Sequence, residues 1–402
     1  MNVLVINSGS SSIKYQLIDM STEASLCSGL VERIGESGGK LTHKIHPDTD
    51  TERKLSINED FPTHVDGMKR VVDLITDAKD GVIKDKSEIY AVGHRVLLGG
   101  EKITKSVKVD EWVKDVIREY IPLGPLHNPA NLAGIEVAEE LFPHAPSVGV
   151  FDTEFHQTMP AKAFLYPLPY AMYEDMQIRR YGFHGTSHRY VAKNAAKFLN
   201  KPLEETNLII CHLGNGCSMS AVQNGKCVDT TMGITPLEGL MMGTRCGDID
   251  PAIVPFVMER KGYTPAEMDH IMNKQSGLKG ICGMNDMRDI HSAREKGDEK
   301  AQLAFEMMTY RIKKYIGAYY AILGRVDAVV FTAGIGENDD FARAEACTGL
   351  ERLGIAVDPE LNKIRNGQPR HIGKAGNDVA VLVVPTNEEL EIAQATVEVL
   401  KG

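Results

Sequence analysis

No apolar run in the 402-residue sequence approaches the length of a membrane span, and the one nearest the start, residues 3–6, stops at Asn7. That run is also too brief for the core of a secretion signal, so both secretion and membrane insertion are poor readings. Basic charge is not in excess. The formal net charge of −10 argues against a nucleic-acid or anionic-membrane partner, either of which needs a basic surface to displace counterions. Cysteine is sparse: seven residues, an odd number with no CxxC pair, argue against a disulfide framework or zinc ribbon and fit reduced thiols in a cytosol. Neither GxxxxGK[ST] nor GxGxxG occurs, which removes the P-loop and Rossmann readings. Low-complexity segments and fixed-period repeats are absent too. What remains is a folded chain of ordinary composition, long enough for two domains that each bury a core.

What the sequence does contain is a series of short apolar runs, each ending in a glycine-bearing turn. Residues 3–6 predict a buried strand and residues 13–18 its antiparallel partner, joined by a turn from Asn7 to Ser12. Residues 208–212 predict a second strand running into Leu213, Gly214, Asn215 and Gly216, followed by residues 217–222, an Asn224-Gly225 turn and a strand to Asp229. The two passages read as versions of one unit, which implies a duplicated domain. Residues 328–332 run into a third glycine-bearing turn over residues 333–338, and residues 379–384 lead to a closing helix over residues 388–400. Amphipathic helices lie between these strands, notably residues 300–323, so the pattern is mixed α/β. Residues 35–60 are polar and weakly periodic and predict a surface excursion on the first half.

These turns suit anions. Backbone amides of a Gly/Ser-rich loop can converge on a phosphate, and Ser10, Ser12 and Lys14 stand at period two, on one face of an extended segment. One such turn is equally well an ordinary hairpin tip. Three, each at the end of an apolar strand, are expected where backbone must approach a polyphosphate. Arg95 and Arg245 both sit among glycines, in GHRVLLGG and MGTRCGD, a setting that suits a guanidinium needed near backbone-lined anion sites. His184 and His188 have metal-ligand spacing, but no third ligand accompanies them, and His188 reads as a helix-start histidine with a structural hydrogen bond.

The stretches NSGSSSIK, GHRVLLGGE, PLHNP, FDTEFHQTMP, YGFHGTSH, HLGNG, TPLEGLMMGTRCGDIDP, NDMRD, FTAGIGEN and PTNEE, in this order over residues 7–389, resemble the acetate kinase family of the sugar kinase, heat-shock-70 and actin superfamily. The resemblance implies an α/β fold of two similar actin-like ATPase domains, each a mixed β-sheet flanked by helices, with an active-site cleft between them. Residues 1–150, completed by 386–402, would form the first and residues 151–385 the second. It implies reversible, Mg²⁺-dependent (or Mn²⁺-dependent) in-line phosphoryl transfer between ATP and acetate, giving acetyl phosphate and ADP on the way to acetyl-CoA. The alternative on the same scaffold is a propionate or other short-chain acyl kinase. A chaperone or filament protein on the same fold is the competing class; a chaperone of that type would need an additional substrate-binding domain, which makes it the weaker reading.

By the same resemblance the catalytic residues are Asp152, His184, Arg245 and Arg95: Arg95 holds the substrate carboxylate, Arg245 stabilises the transferring group, and His184 donates to it. The alkyl end lies against Leu97, Leu126, Phe183 and Pro236. Ser10, Ser12 and Lys14, His212, Leu213, Gly214, Asn215 and Gly216, Asp286, Met287 and Arg288, and Gly334, Ile335, Gly336, Glu337 and Asn338 serve the nucleotide; Asn7 and Glu388 serve the metal. Asp152 matches the family's acid/base aspartate. A carboxylate substrate with a pKa of about 4 is already ionised at neutral pH, so positioning Mg²⁺ or its water shell is the better-motivated role. A cytoplasmic homodimer is implied, with no nucleic-acid or membrane partner. This chain departs from the family pattern GHRVVHGGE, having Leu97 in place of valine and Leu98 in place of histidine.

Overall fold

A computed structural model describes residues 1–125 and 127–402; Leu126 lies outside the described residues. The chain forms two compact units, one of residues 1–154 with 387–402 and the other of residues 155–386.

Among the described residues the first unit is built on eight strands: β1 (Asn2–Ser8), β2 (Ser12–Asp19), β3 (Ala24–Glu32), β4 (Lys40–Ile45), β5 (Arg53–Asn58), β6 (Ile89–Val96), β7 (Val107–Lys108) and β8 (Ser147–Phe151). Their order is β5-β4-β3-β2-β1-β6-β8-β7. β1 is antiparallel to β2 and parallel to β6, which is parallel to β8. The period-two rule divides β1 between two cores. Leu4 and Ile6 join Met68, Val71 and Val137 from helices His64–Ile75 and Asn128–Leu141. Val3 and Val5 face Ile392, Ala393 and Val397 of the closing helix Glu388–Lys401. That helix approaches β6 so closely that a Cβ on Gly93 would lie 2.5 Å from Thr396 Oγ1, and only glycine fits there.

The second unit has six strands, β9 (Leu208–Leu213), β10 (Cys217–Gln223), β11 (Lys226–Thr230), β12 (Ala328–Thr332), β13 (Arg370–His371) and β14 (Ala380–Val383), in the order β11-β10-β9-β12-β14-β13. β9 is antiparallel to β10 and parallel to β12, β12 is parallel to β14, and β13 is antiparallel to β14. The first sheet has the same six-strand sequence of orientations from β3 through β7. The duplication inferred from residues 3–18 and 208–222 is therefore present in the sheet topology. β9 and β12 are buried throughout, as strands covered on both faces must be. Helix Gly185–Phe198 packs on β9 and β12, and helix Glu299–Leu323 on β9 and β10.

Two expectations are corrected. Residues 35–60 contribute β4 and β5, which extend the first sheet at its edge. Leu41, His43 and Ile45 of β4 alternate inward, but lysines and threonine between them masked this period in the sequence. Residues 333–338 fold as a short helix rather than a turn, starting from Ala333 in the left-handed region at φ 64°. The Glu337 carboxylate holds it by accepting the Ala333 N–H at 2.9 Å and the Thr386 N–H at 3.1 Å.

Two buried histidines make the first unit acid-sensitive. His94 on β6 lies 3.2 Å from Ser147 Oγ, and burial pushes its pKa down to about 3; burial lowers His43, bonded to Tyr15 Oη at 2.6 Å, to about 4. Each stays neutral in the folded chain while the unfolded chain takes up a proton below a pKa of about 6.5, so their contribution is present above that pH and is lost as pH falls. For His94 the loss between pH 6.5 and 5 is about 2 kcal/mol. Urea unfolding at pH 7 and pH 5 should therefore show a smaller acid loss, by about that amount, in His94→Gln than in the wild type. Equal losses would mean that His94 is protonated in the fold.

Candidate active site

In the first unit the β1–β2 tip is closed by the Gly9 N–H donating to Ser12 O at 2.8 Å. Asn7 stands opposite Lys14 in register, so these two and Ser12 share one face, with Ser10 exposed at the tip. Lys14 pairs with Glu389, which ties this face to the first turn of the closing helix, where Glu388 also lies. Arg95 is carried by β6 and Asp152 follows β8, and the pairing of these parallel strands brings the two side chains together. Arg95 Nη2 donates to Asp152 Oδ2 at 2.8 Å; Asp152 is fully buried. The carboxylate beside it raises Arg95 above the ordinary guanidinium value. Arg95 Nε, also buried, has no partner among the described residues.

Burial pushes the Glu388 carboxyl up to about 7; Arg95 opposes this, and Asp152 and Glu389 add to it. Two asparagines of the helix Asn128–Leu141 fix the loop after β6. Asn131 accepts the Leu97 N–H at 3.0 Å and donates to Ser8 O at 2.9 Å, while Asn128 donates to Leu98 O at 3.0 Å. Leu97 is buried and Leu98 wholly so, consistent with a leucine repacking a site where the family pattern has histidine.

In the second unit, Phe183 is buried, and its carbonyl lies 3.0 Å from His156 Nε2. His184 follows at φ 60°, a left-handed conformation uncommon for a residue with a side chain and characteristic of functional turns. It begins the helix Gly185–Phe198 and stacks on His212 of β9, with ring centroids 4.2 Å apart. The β9–β10 tip is closed by Gly214 N–H donating to Gly216 O at 3.1 Å, and a Cβ added to Gly216 would lie 3.4 Å from both His184 Nε2 and Arg245 Nη1. The two donors thus converge beside bare backbone. Arg245 Nη1 donates to Pro236 O at 3.1 Å; no carboxylate pairs with Arg245 among the described residues, and burial lowers its pKa.

A cavity of about 700 Å³ within this unit is lined by Gly214, Asn215, Asp286, Met287, Arg288, Gly334, Ile335 and Asn338, all expected from the sequence. Asn285, His291, Asp339, Asp340, Phe341 and Arg365 also line it and were missed as site residues; Asn285, Asp339 and Asp340 lie close in sequence to residues that were expected, while nothing in the local sequence sets His291, Phe341 or Arg365 apart. Asp286 caps helix Met287–Glu295 and binds Arg288 Nη2 at 2.6 Å, which with its other Arg288 bonds lowers the carboxyl to about 2. His212, Leu213, Gly216, Gly336 and Glu337 are not part of the lining. His212 is held by Ser187 Oγ at 2.8 Å, and Gly336 packs against β9. Among the described residues no cluster of three or more His, Cys, Asp or Glu could hold a metal alone, and no helix is long and apolar enough to cross a membrane.

Two mixed sheets that share a six-strand order, with cationic and imidazole donors gathered at glycine turns, are the arrangement expected of an α/β phosphotransferase. The profile of the acetokinase family matches residues 2–394, and the chain belongs to that family. It is 78% identical, over the whole of both chains, to an acetate kinase of Nitratidesulfovibrio vulgaris. Among solved structures it resembles the Porphyromonas gingivalis acetate kinase (45% identity, TM-score 0.95, 99% of each chain) and a propionate kinase from Francisella tularensis (41%, TM-score 0.92, 99% of each chain).

Proposed function

We propose that this chain catalyses reversible phosphoryl transfer between ATP and acetate, giving ADP and acetyl phosphate. A carboxylate oxygen of acetate attacks the γ-phosphorus in line, the new O–P bond forms as the bond to the β–γ bridging oxygen breaks, and the electron pair leaves with ADP. Acetate is already ionised, so no proton has to move. Arg95, kept charged by Asp152 and with Nε buried and without a partner among the described residues, is suited to hold the carboxylate.

The observation that carries the reading is Arg245. It is a partly desolvated guanidinium with no carboxylate partner among the described residues, and it shares the space beside Gly216 with His184 Nε2. Such donors are worth most on a transition state that spreads charge over three phosphoryl oxygens. Asn7, Asp152 and Glu388 offer the hard oxygen ligands that Mg²⁺ prefers, and a cation would relieve the raised pKa of Glu388. When bound, Mg²⁺ neutralises charge on the phosphate oxygens. Gly214, Asn215 and the cavity residues from Asp286 to Arg288 and at Gly334, Ile335 and Asn338 would take the nucleotide. Hydroxamate trapping of acyl phosphate from ATP, Mg²⁺ and acetate tests the reaction; no product above an ATP-free control would reject it.

The Francisella likeness keeps propionate in view as the acceptor. Leu97 is buried against the position of Gly124, and its extra methylene relative to valine narrows the proposed alkyl pocket. Leu97→Val should lower the acetate-to-propionate ratio of kcat/KM by up to roughly 10- to 200-fold, the worth of one methylene. An unchanged ratio would remove Leu97 from specificity. A reduced cytoplasmic setting fits the seven free cysteines. Tyr170, Met176, Phe256 and Tyr310, each more than half exposed on the second unit, are apolar surface that a homodimer could draw on, and sedimentation equilibrium reads its mass directly.

A further inference from the structure

We infer that Ser218 and His188 are positioning residues that fix the proton of His184 on Nε2, so that this ring presents an N–H on the side it shares with Arg245. The inference rests on the reading of His184 as a donor to the transferring group. Ser218, fully buried on β10, places its Oγ 2.9 Å from His184 Nδ1 and 2.7 Å from His188 Nε2. A hydroxyl has one proton, so it can donate to only one of these nitrogens and must accept from an N–H on the other.

His188 decides which. It is fully buried, and its Nδ1 has no partner among the described residues. A buried N–H without an acceptor is rarer and costlier than a bare ring nitrogen, so a neutral His188 carries its proton on Nε2 and donates it to Ser218. Burial holds it neutral, lowering its pKa well below the ordinary imidazole value, with His156 and His212 adding to the effect. Ser218 then donates its own proton to His184 Nδ1, which leaves the His184 proton on Nε2. A doubly protonated His184 would direct a second N–H at Ser218 Oγ and leave the hydroxyl proton without either ring as acceptor.

The rest of the cluster holds the ring in place. His212 stacks on His184 and is bonded through Nδ1 to Ser187 Oγ, which in turn lies 2.8 Å from Thr386 Oγ1. The Nε2 edge so fixed lies 3.4 Å from the Gly216 Cβ position, as does Arg245 Nη1. None of Ser187, His188 or Ser218 was marked as functional in the sequence, because the relay joins a helix start to a strand 30 residues further on.

The test is ring ¹⁵N NMR of the full chain labelled at histidine, with signals assigned through His184→Gln and His188→Gln. The wild type should show His184 protonated on Nε2 and bare at Nδ1; a proton on Nδ1 overturns the relay without any variant having to fold. Ser218→Ala should give mixed His184 tautomers and a kcat lower by about 10- to 100-fold with little change in either KM, the usual size of an outer-shell effect. Ser218→Thr, which keeps the hydroxyl, should recover most of the rate. Loss of kcat in Ser218→Ala with the His184 tautomer unchanged would make Ser218 merely structural and overturn the proposal. If instead His184→Gln keeps the wild-type kcat, the reading of His184 as a donor fails, while the tautomer measurement still judges the relay.

Discussion

Arg245→Ala is expected to lose about 10³ to 10⁵ in kcat, the worth of an arginine acting on a transferring phosphoryl group, while KM for ATP and acetate changes far less. The asymmetry follows from where the charge develops: a guanidinium aimed at the equatorial oxygens contributes most when they have spread out in the transition state. Arg245→Lys should recover only part of the loss, because an ammonium is a point charge without the planar fork. The same substitution should not lower the melting temperature. Arg245 is partly desolvated, its pKa is lowered by burial, and among the described residues its bonds go to a carbonyl and a thioether rather than a carboxylate. Removing such a group relieves a cost in the free protein. Single-turnover kinetics and calorimetry together check both halves; a fall in stability that matched the fall in rate would mean that Arg245 is structural.

Arg95→Ala should fail in the opposite way, in stability as well as in rate. Asp152 is fully buried against Arg95, and Glu388, pushed up to about 7, is held down chiefly by the same guanidinium. Breaking a buried pair from one side typically costs about 3–5 kcal/mol, because the remaining charge is left uncompensated. The sign with pH is fixed. A carboxyl whose folded pKa lies above its unfolded value binds more protons in the folded state, so its cost grows as pH rises from the unfolded value through the folded one. The destabilisation of Arg95→Ala should therefore be larger at pH 8 than at pH 6 by urea unfolding. Asp152→Asn added to Arg95→Ala should restore part of the stability and none of the activity. For acetate, kcat/KM should drop by roughly 30- to 5,000-fold, equivalent to about 2–5 kcal/mol for truncating a buried charged partner. A pH-independent stability loss would show that Glu388 does not depend on Arg95 for its charge.

Much of the arrangement was legible before any coordinates, for a physical reason. Runs such as residues 328–331 are apolar throughout because both faces are covered, and glycines mark turns where backbone must come close, so local composition alone revealed β1, β9, β12 and the hairpin tips. Their repetition at residues 3–18 and 208–222 disclosed the duplication that the two sheets share. Edge strands were harder: β4 and β5 face water on one side, and their lysines, arginine and serine hid the period. The helix at residues 333–338 was hidden because two glycines read as a turn, while its stability comes from Glu337 and from Thr386, 49 residues away.

By itself the sequence determined the class of fold, the family, and which residue types gather at glycine turns, since those follow from local composition and from motif order. Only the tertiary structure decided the pairing of Arg95 with Asp152 across 57 residues, the raised carboxyl of Glu388, the absence of a carboxylate beside Arg245 among the described residues, and the shared hydroxyl of Ser218 between His184 and His188. Charge state and tautomer depend on burial and on one distant partner, and neither is a property of neighbouring residues in the chain.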